Sequence, residues 1–216
     1  MITRIPGILI FLPVPLVLFL FTNAPLGLSR QGLLTSTGLG VAVMLTHRLY
    51  ARRYALARAR RRCLWTGQAV DSGPLLVIEE PMGPTTWTAS DGKRAVRLKR
   101  LFSWSWHHRL FIRIGILGTL ALFLLLVLLI AFDRSGPIAH ADAVAFFRIG
   151  IAVTVLPVGW LAAYRGDKDA TPIKAPFPVH IQALIGSWSV LWLFRLIGIV
   201  WLALGLHHMA LRLNLL

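Results

Sequence analysis

Three long apolar stretches in the C-terminal half of the chain constrain its fold more than any other feature. They cover 110–132, 143–164 and 181–206, and each contains a single arginine as its only charged residue. A helix needs about 20 predominantly apolar residues to cross the hydrocarbon core of a bilayer. We therefore predict three transmembrane helices here. Continuous apolar blocks without amphipathic spacing also disfavour a soluble enzyme.

Two shorter apolar stretches precede them, at 5–21 and 32–50. The first contains three prolines and the second is rich in Gly, Ser and Thr, yet together they suit a helical hairpin over 1–50. The stretch 5–21 also has the shape of a secretory signal peptide, with small residues just before Pro25. Because a proline directly after the cut disfavours cleavage, we favour an uncleaved span, and hence five spans in all.

The distribution of basic residues predicts the orientation. Lys and Arg accumulate in loops that stay on the cytoplasmic side of a membrane. With the N-terminus inside, the inner segments hold 17 of the 23 basic residues and the outer segments hold three. Thirteen of those 17 lie between Arg48 and Arg109. We therefore predict an all-α integral membrane protein of a bacterial inner membrane, with the N-terminus in and the C-terminus out.

Composition excludes two other classes of protein. Hydrophobic residues make up 56% of the 216 residues, whereas disordered chains are poor in them. Cys63 is the only cysteine, so a scaffold of intrachain disulfides is excluded as well. The net charge of +15 points to acidic partners or to anionic membrane lipids.

The segment 51–109 is predicted to form a small basic cytoplasmic module with α and β structure, between the hairpin and the three-span region 110–216. Its first part is rich in Ala and Arg, which favour helix. The stretches 73–80 and 85–88 are predicted as two strands joined by a turn that contains Pro and Gly. A basic helix is expected over 93–106. The predicted order is therefore helix, β-hairpin, helix.

Residues 62–67, Arg-Cys-Leu-Trp-Thr-Gly, resemble one knuckle of a zinc ribbon. In such a knuckle, Cys-x-x-Cys-Gly supplies two thiolate ligands. Here Thr66 takes the second position, and the sequence has no other cysteine to complete four ligands. The resemblance implies at most a knuckle that keeps its shape without its metal, and we predict no metal site.

The arginines of the module are its predicted contact residues. The simplest interpretation is that they determine topology and lie on anionic headgroups, where each contributes about 1 kcal/mol. An acidic protein partner is the first alternative. Nucleic acid, whose phosphates also select basic patches, is the least favoured because no recognition motif accompanies the arginines. The predicted contact residues are Arg52, Arg53, Arg60, Arg61, Arg62, Arg97 and Arg100.

The histidines form two groups at the predicted span ends. His47, His107 and His180 lie in the cytoplasmic group, and a second group lies at the outer surface. One cluster at each surface is typical of a haem b or quinone-binding subunit, because neutral histidine is the commonest metal ligand. Haem ligands, however, normally lie a turn or more inside facing helices. We therefore predict no cofactor and keep haem b or quinone at these three histidines as the alternative.

Arg195 is the most informative single residue, because an ionisable side chain within a span marks a functional site by default. None of the eight Asp and Glu residues lies well inside a span. Trp188 and Trp192 share its helical face, which favours cation–π stacking. Alternatively, the span begins nearer Trp188 and Arg195 reaches the inner surface. All three residues are predicted lipid or partner contacts.

These patterns predict a non-catalytic accessory or assembly subunit whose arginine-rich loop binds anionic lipid or a protein partner. A membrane redox subunit is the first alternative and a lipid-modifying enzyme the second. The enzyme needs a nucleophile and a base, for which Ser187 or Ser189 near His180 is the only candidate. The sequence contains no zinc-protease, P-loop or serine-hydrolase motif, and we predict no catalytic residue.

We expect the protein purified in mild detergent to be colourless in both its oxidised and its dithionite-reduced forms, because no haem is predicted. Ultraviolet–visible spectra check this. A reduced α-band of b-type haem that disappears in His47→Ala or His180→Ala would overturn the accessory-subunit prediction. A flat spectrum would exclude haem and direct attention to co-purifying proteins that salt releases.

Overall fold

The computed structural model describes Ala42, Ala57 and residues 62–81, 83–131, 140–176 and 179–215. Within these residues the chain is mostly helical, with one small sheet. The predicted spans 5–21 and 32–50 and the Ala- and Arg-rich stretch lie outside the described residues, apart from the two isolated alanines, which are both helical.

A three-stranded sheet forms the centre of the module. Strand β1 (Leu75–Glu80) pairs antiparallel with β2 (Gly83–Thr88), so the predicted hairpin is confirmed. Alternate residues of β1 are buried, as expected of a strand with one covered face. A third strand, β3 (Ile173–Lys174), pairs parallel with β1. Its two residues are too few to give a periodic signal in the sequence.

A basic amphipathic helix, α1 (Gly92–His107), follows β2. The Asp91 carboxylate caps its start by accepting a hydrogen bond from the backbone N–H of Arg94 at 2.8 Å. This hydrogen bond is the main reason that the pKa of Asp91 lies below its ordinary value. Leu98 and Phe102 belong to the buried face of α1. The basic helix predicted over 93–106 is therefore confirmed.

Among the described residues, three helices are long and apolar enough to cross a membrane. The first combines α2 (Arg109–Arg113), a π-helical turn (Ile114–Gly118) and α3 (Thr119–Ala131). The second is α4 (His140–Arg165) and the third is α6 (Ser187–Arg212). Helix α4 is central, because the other two pack along it. We call the end of this bundle that carries the sheet and α1 the module face, and the other end the opposite face.

The last predicted span, 181–206, differs from the observed helix at its start. The chain forms a short helix, α5 (His180–Ile185), leaves helical geometry at Gly186 and begins α6 at Ser187. Gly186 has φ 87°, which favours glycine. A Cβ there would lie 2.5 Å from the carbonyl carbon of Thr66. The helix is interrupted because the module passes directly against Gly186, a contact that local periodicity does not reveal.

The module and the membrane-length helices share one hydrophobic core. Leu64 and Ile78 of the module, Leu98 of α1 and Leu191 of α6 are each at most 1% exposed and belong to the same cluster. Complete burial of a side chain of this size stabilises by about 1.5–3 kcal/mol. The sheet and α1 are therefore packed on one end of the helix bundle.

Gly186→Ala is expected to destabilise the fold. The Gly186 backbone (φ 87°, ψ 140°) lies in a region that is nearly restricted to glycine, and adopting it costs another residue about 1–3 kcal/mol. The new Cβ would also collide with Thr66. The matched control is Gly83→Ala, which has φ 109° but no atom within 4 Å of the new Cβ. The Tm follows from the folded fraction that size-exclusion chromatography finds after heating in detergent. It should fall further for Gly186→Ala than for Gly83→Ala. Equal losses would contradict the close approach to Thr66.

Candidate functional site

Basic and aromatic side chains meet where α1 passes into the first membrane-length helix. The guanidinium carbon of Arg109 lies 4.5 Å from the ring centre of Trp106, and the Lys174 ammonium lies 5.7 Å from it. Arg113, one turn further along, donates to the carbonyl of Pro176 at 3.2 Å. We call Trp106, Arg109, Arg113 and Lys174 the rim cluster. These contacts hold three cations near the start of a membrane-length helix.

Acidic side chains of the described residues neutralise little of the positive charge of the rim cluster. Among the described residues, Lys174 is the only cation of this cluster with an acidic partner: its ammonium lies 3.6 Å from the Glu79 carboxylate. Arg109 donates instead to the backbone carbonyl of Trp106 at 3.1 Å. Tryptophan is enriched at membrane–water interfaces, and long basic side chains extend along apolar surface with their charge in water. The cluster therefore has the composition of an interfacial cation site.

The other predicted arginines lie in different surroundings. Arg97 is exposed and its guanidinium carbon lies 5.8 Å from the ring centre of Trp65. Arg62 donates to the carbonyl of Gly67 at 3.3 Å. The buried Nε of Arg100 has no hydrogen-bond partner among the described residues. The predicted contacts that lie outside the described residues are Arg52, Arg53, Arg60 and Arg61.

Arg195 lies in an aromatic enclosure between α4 and α6. It is 5% exposed, and its Nε donates to the carbonyl of Gly159 at 2.8 Å. Its guanidinium carbon lies 5.6 and 4.8 Å from the ring centres of Trp188 and Trp192, which confirms the predicted stacking. A third ring, Trp160, lies 4.6 Å away. Sequence reasoning missed Trp160 because it belongs to another helix.

The geometry of Arg195 combines parts of both sequence interpretations. Helix α6 begins at Ser187, as expected if the third span begins near Trp188. The Arg195 side chain, however, is buried against α4. Aromatic faces replace the solvent around the guanidinium, an interaction of about 2 kcal/mol when desolvated. Arg195 thereby links the second and third membrane-length helices. Its role as a lipid or partner contact stays a prediction.

The described histidines at the module face make local contacts. His107 is exposed. The ring centre of His108 stacks 4.1 Å from that of Trp104, and its Nδ1 lies 2.9 Å from the Trp104 carbonyl oxygen. His47 lies outside the described residues, and only the backbone of His180, at the start of α5, is described. The described residues contain no group of three or more His, Cys, Asp and Glu that could hold a metal.

The chain turns tightly after Cys63. Its turn is closed by a hydrogen bond from the N–H of Gly67 to the carbonyl of Cys63 at 2.7 Å. The thiol is buried and accepts from the N–H of Ser90 at 3.3 Å. Burial raises the pKa of the Cys63 thiol, but hydrogen bonds with Ser90 and Thr66 outweigh it and leave the pKa below its ordinary value. Thr66 thus stands in the position of the second thiolate.

The buried carboxylate of Glu80 connects the hairpin to the chain after β3. One oxygen accepts from the Thr85 hydroxyl and, at 3.3 Å, from the indole N–H of Trp87. The other accepts from the backbone N–H of Val179 at 3.0 Å. Three donors therefore satisfy a charge whose burial is otherwise costly. Sequence reasoning missed this role, although the alternating pattern of β1 places Glu80 on its buried face.

Ser187 has a structural hydroxyl. Ser187 is fully buried. Its hydroxyl donates to the Leu64 carbonyl oxygen at 3.0 Å and lies 3.1 Å from Oε1 of Gln182. Ser189 is exposed on α6. Because the Ser187 hydroxyl is bonded to the module, the geometry lends no support to a nucleophile there.

A second charged cluster lies at the opposite face. Asp142, buried near the start of α4, has one oxygen 2.8 Å from Nε2 of His208 and the other 3.7 Å from Nε of Arg212. Both partners lie on α6, so this cluster also links the second and third membrane-length helices. One histidine of the predicted outer group is therefore engaged by a carboxylate.

Comparison with known proteins gives no match among protein-family models, curated proteins or solved structures. The function is therefore inferred from the geometry of this chain.

Arg195→Lys is expected to lower the Tm of the protein in detergent. Lysine keeps the charge but loses the planar fork that stacks on three rings while Nε donates to Gly159, and a hydrogen bond of a charged group contributes about 1.5–3 kcal/mol. The matched control is Arg97→Lys, an exposed arginine beside one ring, which should leave the Tm unchanged. A wild-type Tm for Arg195→Lys would contradict the linking role of the guanidinium.

Proposed function

We propose that this chain is an integral protein of a bacterial inner membrane, with its N-terminus in and its C-terminus out. In this proposal it acts as a non-catalytic accessory or assembly subunit whose module face binds anionic phospholipid headgroups. Three helices that are long and apolar enough to cross a membrane support its integration. The excess of Lys and Arg in alternate loops of the sequence supports the orientation.

The observation that carries the proposal is the rim cluster. Its cations lie where a membrane-length helix begins, next to Trp106, a residue type that favours the interface. The shared core keeps α1 and the start of that helix together, so the cations are preorganised. Arginine binds phosphate oxygens through strong charge-assisted hydrogen bonds. In the predicted orientation, the anionic lipids of the cytoplasmic leaflet are the nearest phosphates.

A non-catalytic role is supported by the way reactive side chains near the module face are used. Ser187 bonds to the Leu64 carbonyl, and Glu80 accepts the N–H of Val179. The Cys63 thiol is fully buried. Each of these groups stabilises a junction within the fold.

An accessory subunit also needs a surface for its partner, and the uncovered face of β1 supplies a candidate. Leu75 and Val77 are 70% and 58% exposed there. Contiguous exposed apolar surface marks association sites, and these two side chains lie on the same face of one strand. This supports a partner bound at the module face beside the lipid surface.

Phosphatidylglycerol is expected to associate with the reconstituted protein in preference to phosphatidylcholine. Spin-labelled forms of the two lipids measure their relative association, which should fall at high salt because exposed charges are screened. Arg109→Gln should lower the preference by up to about fivefold, since a cation near an anionic surface contributes about 1 kcal/mol. Arg212→Gln, the same charge change at the opposite face, is the matched control. Equal association of both lipids with the wild type would contradict the proposal.

The orientation predicts the activity of alkaline phosphatase fusions. This reporter needs disulfides, which form outside the bacterial cytoplasm. A fusion after Leu216 should be active, and a fusion after Ser90, between β2 and α1, should be inactive. The opposite result would reverse the proposed topology and place the rim cluster at the outer surface.

A further inference from the structure

An apolar cavity of about 440 Å³ lies beneath the module face. It lies on the flank of α4, between the first and third membrane-length helices, with the C-terminal half of α1 above it. Ile116, Val158 and Phe194 line it from these three helices. Its volume falls within the range of about 300–1,000 Å³ that is usual for ligand pockets.

The interior of the cavity suits an apolar ligand. None of the described residues that line it has a charged side chain. Among its polar side chains, Ser187 donates to the Leu64 carbonyl, and Thr154 donates to the Gly150 carbonyl at 2.9 Å. The Ser187 hydroxyl also lies 3.1 Å from Oε1 of Gln182. Because the hydroxyls of Ser187 and Thr154 already have partners within the protein, a ligand gains little from these two groups, and Ser105 and Gln182 are the other polar residues of the lining.

Positive charge borders the cavity at the module face. Ile112 and Pro176 line it, and Arg113 follows Ile112 in the chain and donates to the Pro176 carbonyl. Arg109 lies four residues earlier and also belongs to the rim cluster. An apolar interior with cations at one end is complementary to a phospholipid that has an apolar chain and an anionic phosphate.

The wall formed by the first membrane-length helix is irregular at this point. The π-helical turn Ile114–Gly118 contains the lining residue Ile116 and directly follows Ile112 and Arg113. Such turns occur frequently at functional sites. Gly115 lies against Thr154 of α4, where an added Cβ would collide with the threonine side chain. The widened turn and the glycine together shape the wall while keeping the helix in contact with α4.

We propose that this cavity holds one acyl chain of an anionic phospholipid whose phosphate is bound by Arg109 and Arg113. This inference rests on the proposed function and names its ligand and its site. The acyl chain fills the space between the first and third membrane-length helices, which both pack on α4. The lipid is then a structural component that joins them.

The test uses full-length protein in phosphatidylcholine nanodiscs that contain phosphatidylglycerol with a diazirine on the upper part of one acyl chain, close to its ester group. After illumination, peptide mapping should find label on cavity residues such as Ile116, Val158 and Phe194. Arg113→Gln should reduce this labelling severalfold for the phosphatidylglycerol reagent and leave labelling by the matched phosphatidylcholine reagent unchanged.

Two substitutions from different walls fill the cavity, Val190→Trp and Ile116→Trp. Either one, in a variant that retains the Tm of the wild type, should remove most of the label from the remaining cavity residues. Leu196→Trp is the control, because it places the same ring on an exposed position of α6 outside the cavity. It should leave the labelling of the cavity unchanged.

Label confined to lipid-exposed residues such as Leu122 and Ile199 would overturn the inference. A cavity occupied by another part of the chain, such as 5–21 or 32–50, would give that result.

The spin-label preference tests the proposed function separately. A preference for phosphatidylglycerol without label in the cavity would overturn the acyl-chain site alone. Equal labelling of the cavity by both reagents, without a spin-label preference, would overturn the proposed function and the phosphate site together.

Discussion

Two backbone hydrogen bonds determine where the module lies, and the other features of the structure depend on them. The N–H groups of Ser187 and Trp188, at the start of α6, donate to the carbonyls of Leu64 and Trp65, each at 2.9 Å. The first N–H groups of a helix have no partner within the helix, and unsatisfied backbone groups are costly near a membrane interior. The turn after Cys63 therefore caps the third membrane-length helix. Gly186 permits this approach because it carries no Cβ.

Charged side chains join the second and third membrane-length helices near both ends of the bundle. The groups that surround the charge differ between the two ends. Near the module face, Arg195 is surrounded by three tryptophans and donates to a backbone carbonyl. At the opposite face, Asp142 pairs with His208 and Arg212. Both arrangements satisfy a costly buried charge by contacts across the helix pair. These interactions hold α4 and α6 in one relative position, against which the first helix packs.

The position of the module has a functional consequence. Since the sheet and α1 share a core with the helix bundle, the cations of the rim cluster have fixed places at the start of the first membrane-length helix. The cavity lies directly beneath them, and the hydroxyls of Ser187 and Thr154 in its lining are occupied by structural hydrogen bonds. A basic loop on a flexible linker would attract anionic lipid only by its net charge. In the proposed function, the fold supplies both a place for phosphate and a place for an apolar chain.

The sequence by itself determined the features that arise within one segment of chain. Apolar length predicts the three membrane-length helices, β-branched and aromatic content around a turn with Pro and Gly predicts the β-hairpin, and helical spacing predicts the stacking of Arg195 on Trp188 and Trp192. Only the tertiary structure decided the third strand, the interruption at Gly186, the contribution of Trp160 and the cavity. Each of these depends on contacts between segments that are distant in the chain, and the periodicity of a single segment carries no information about its partner.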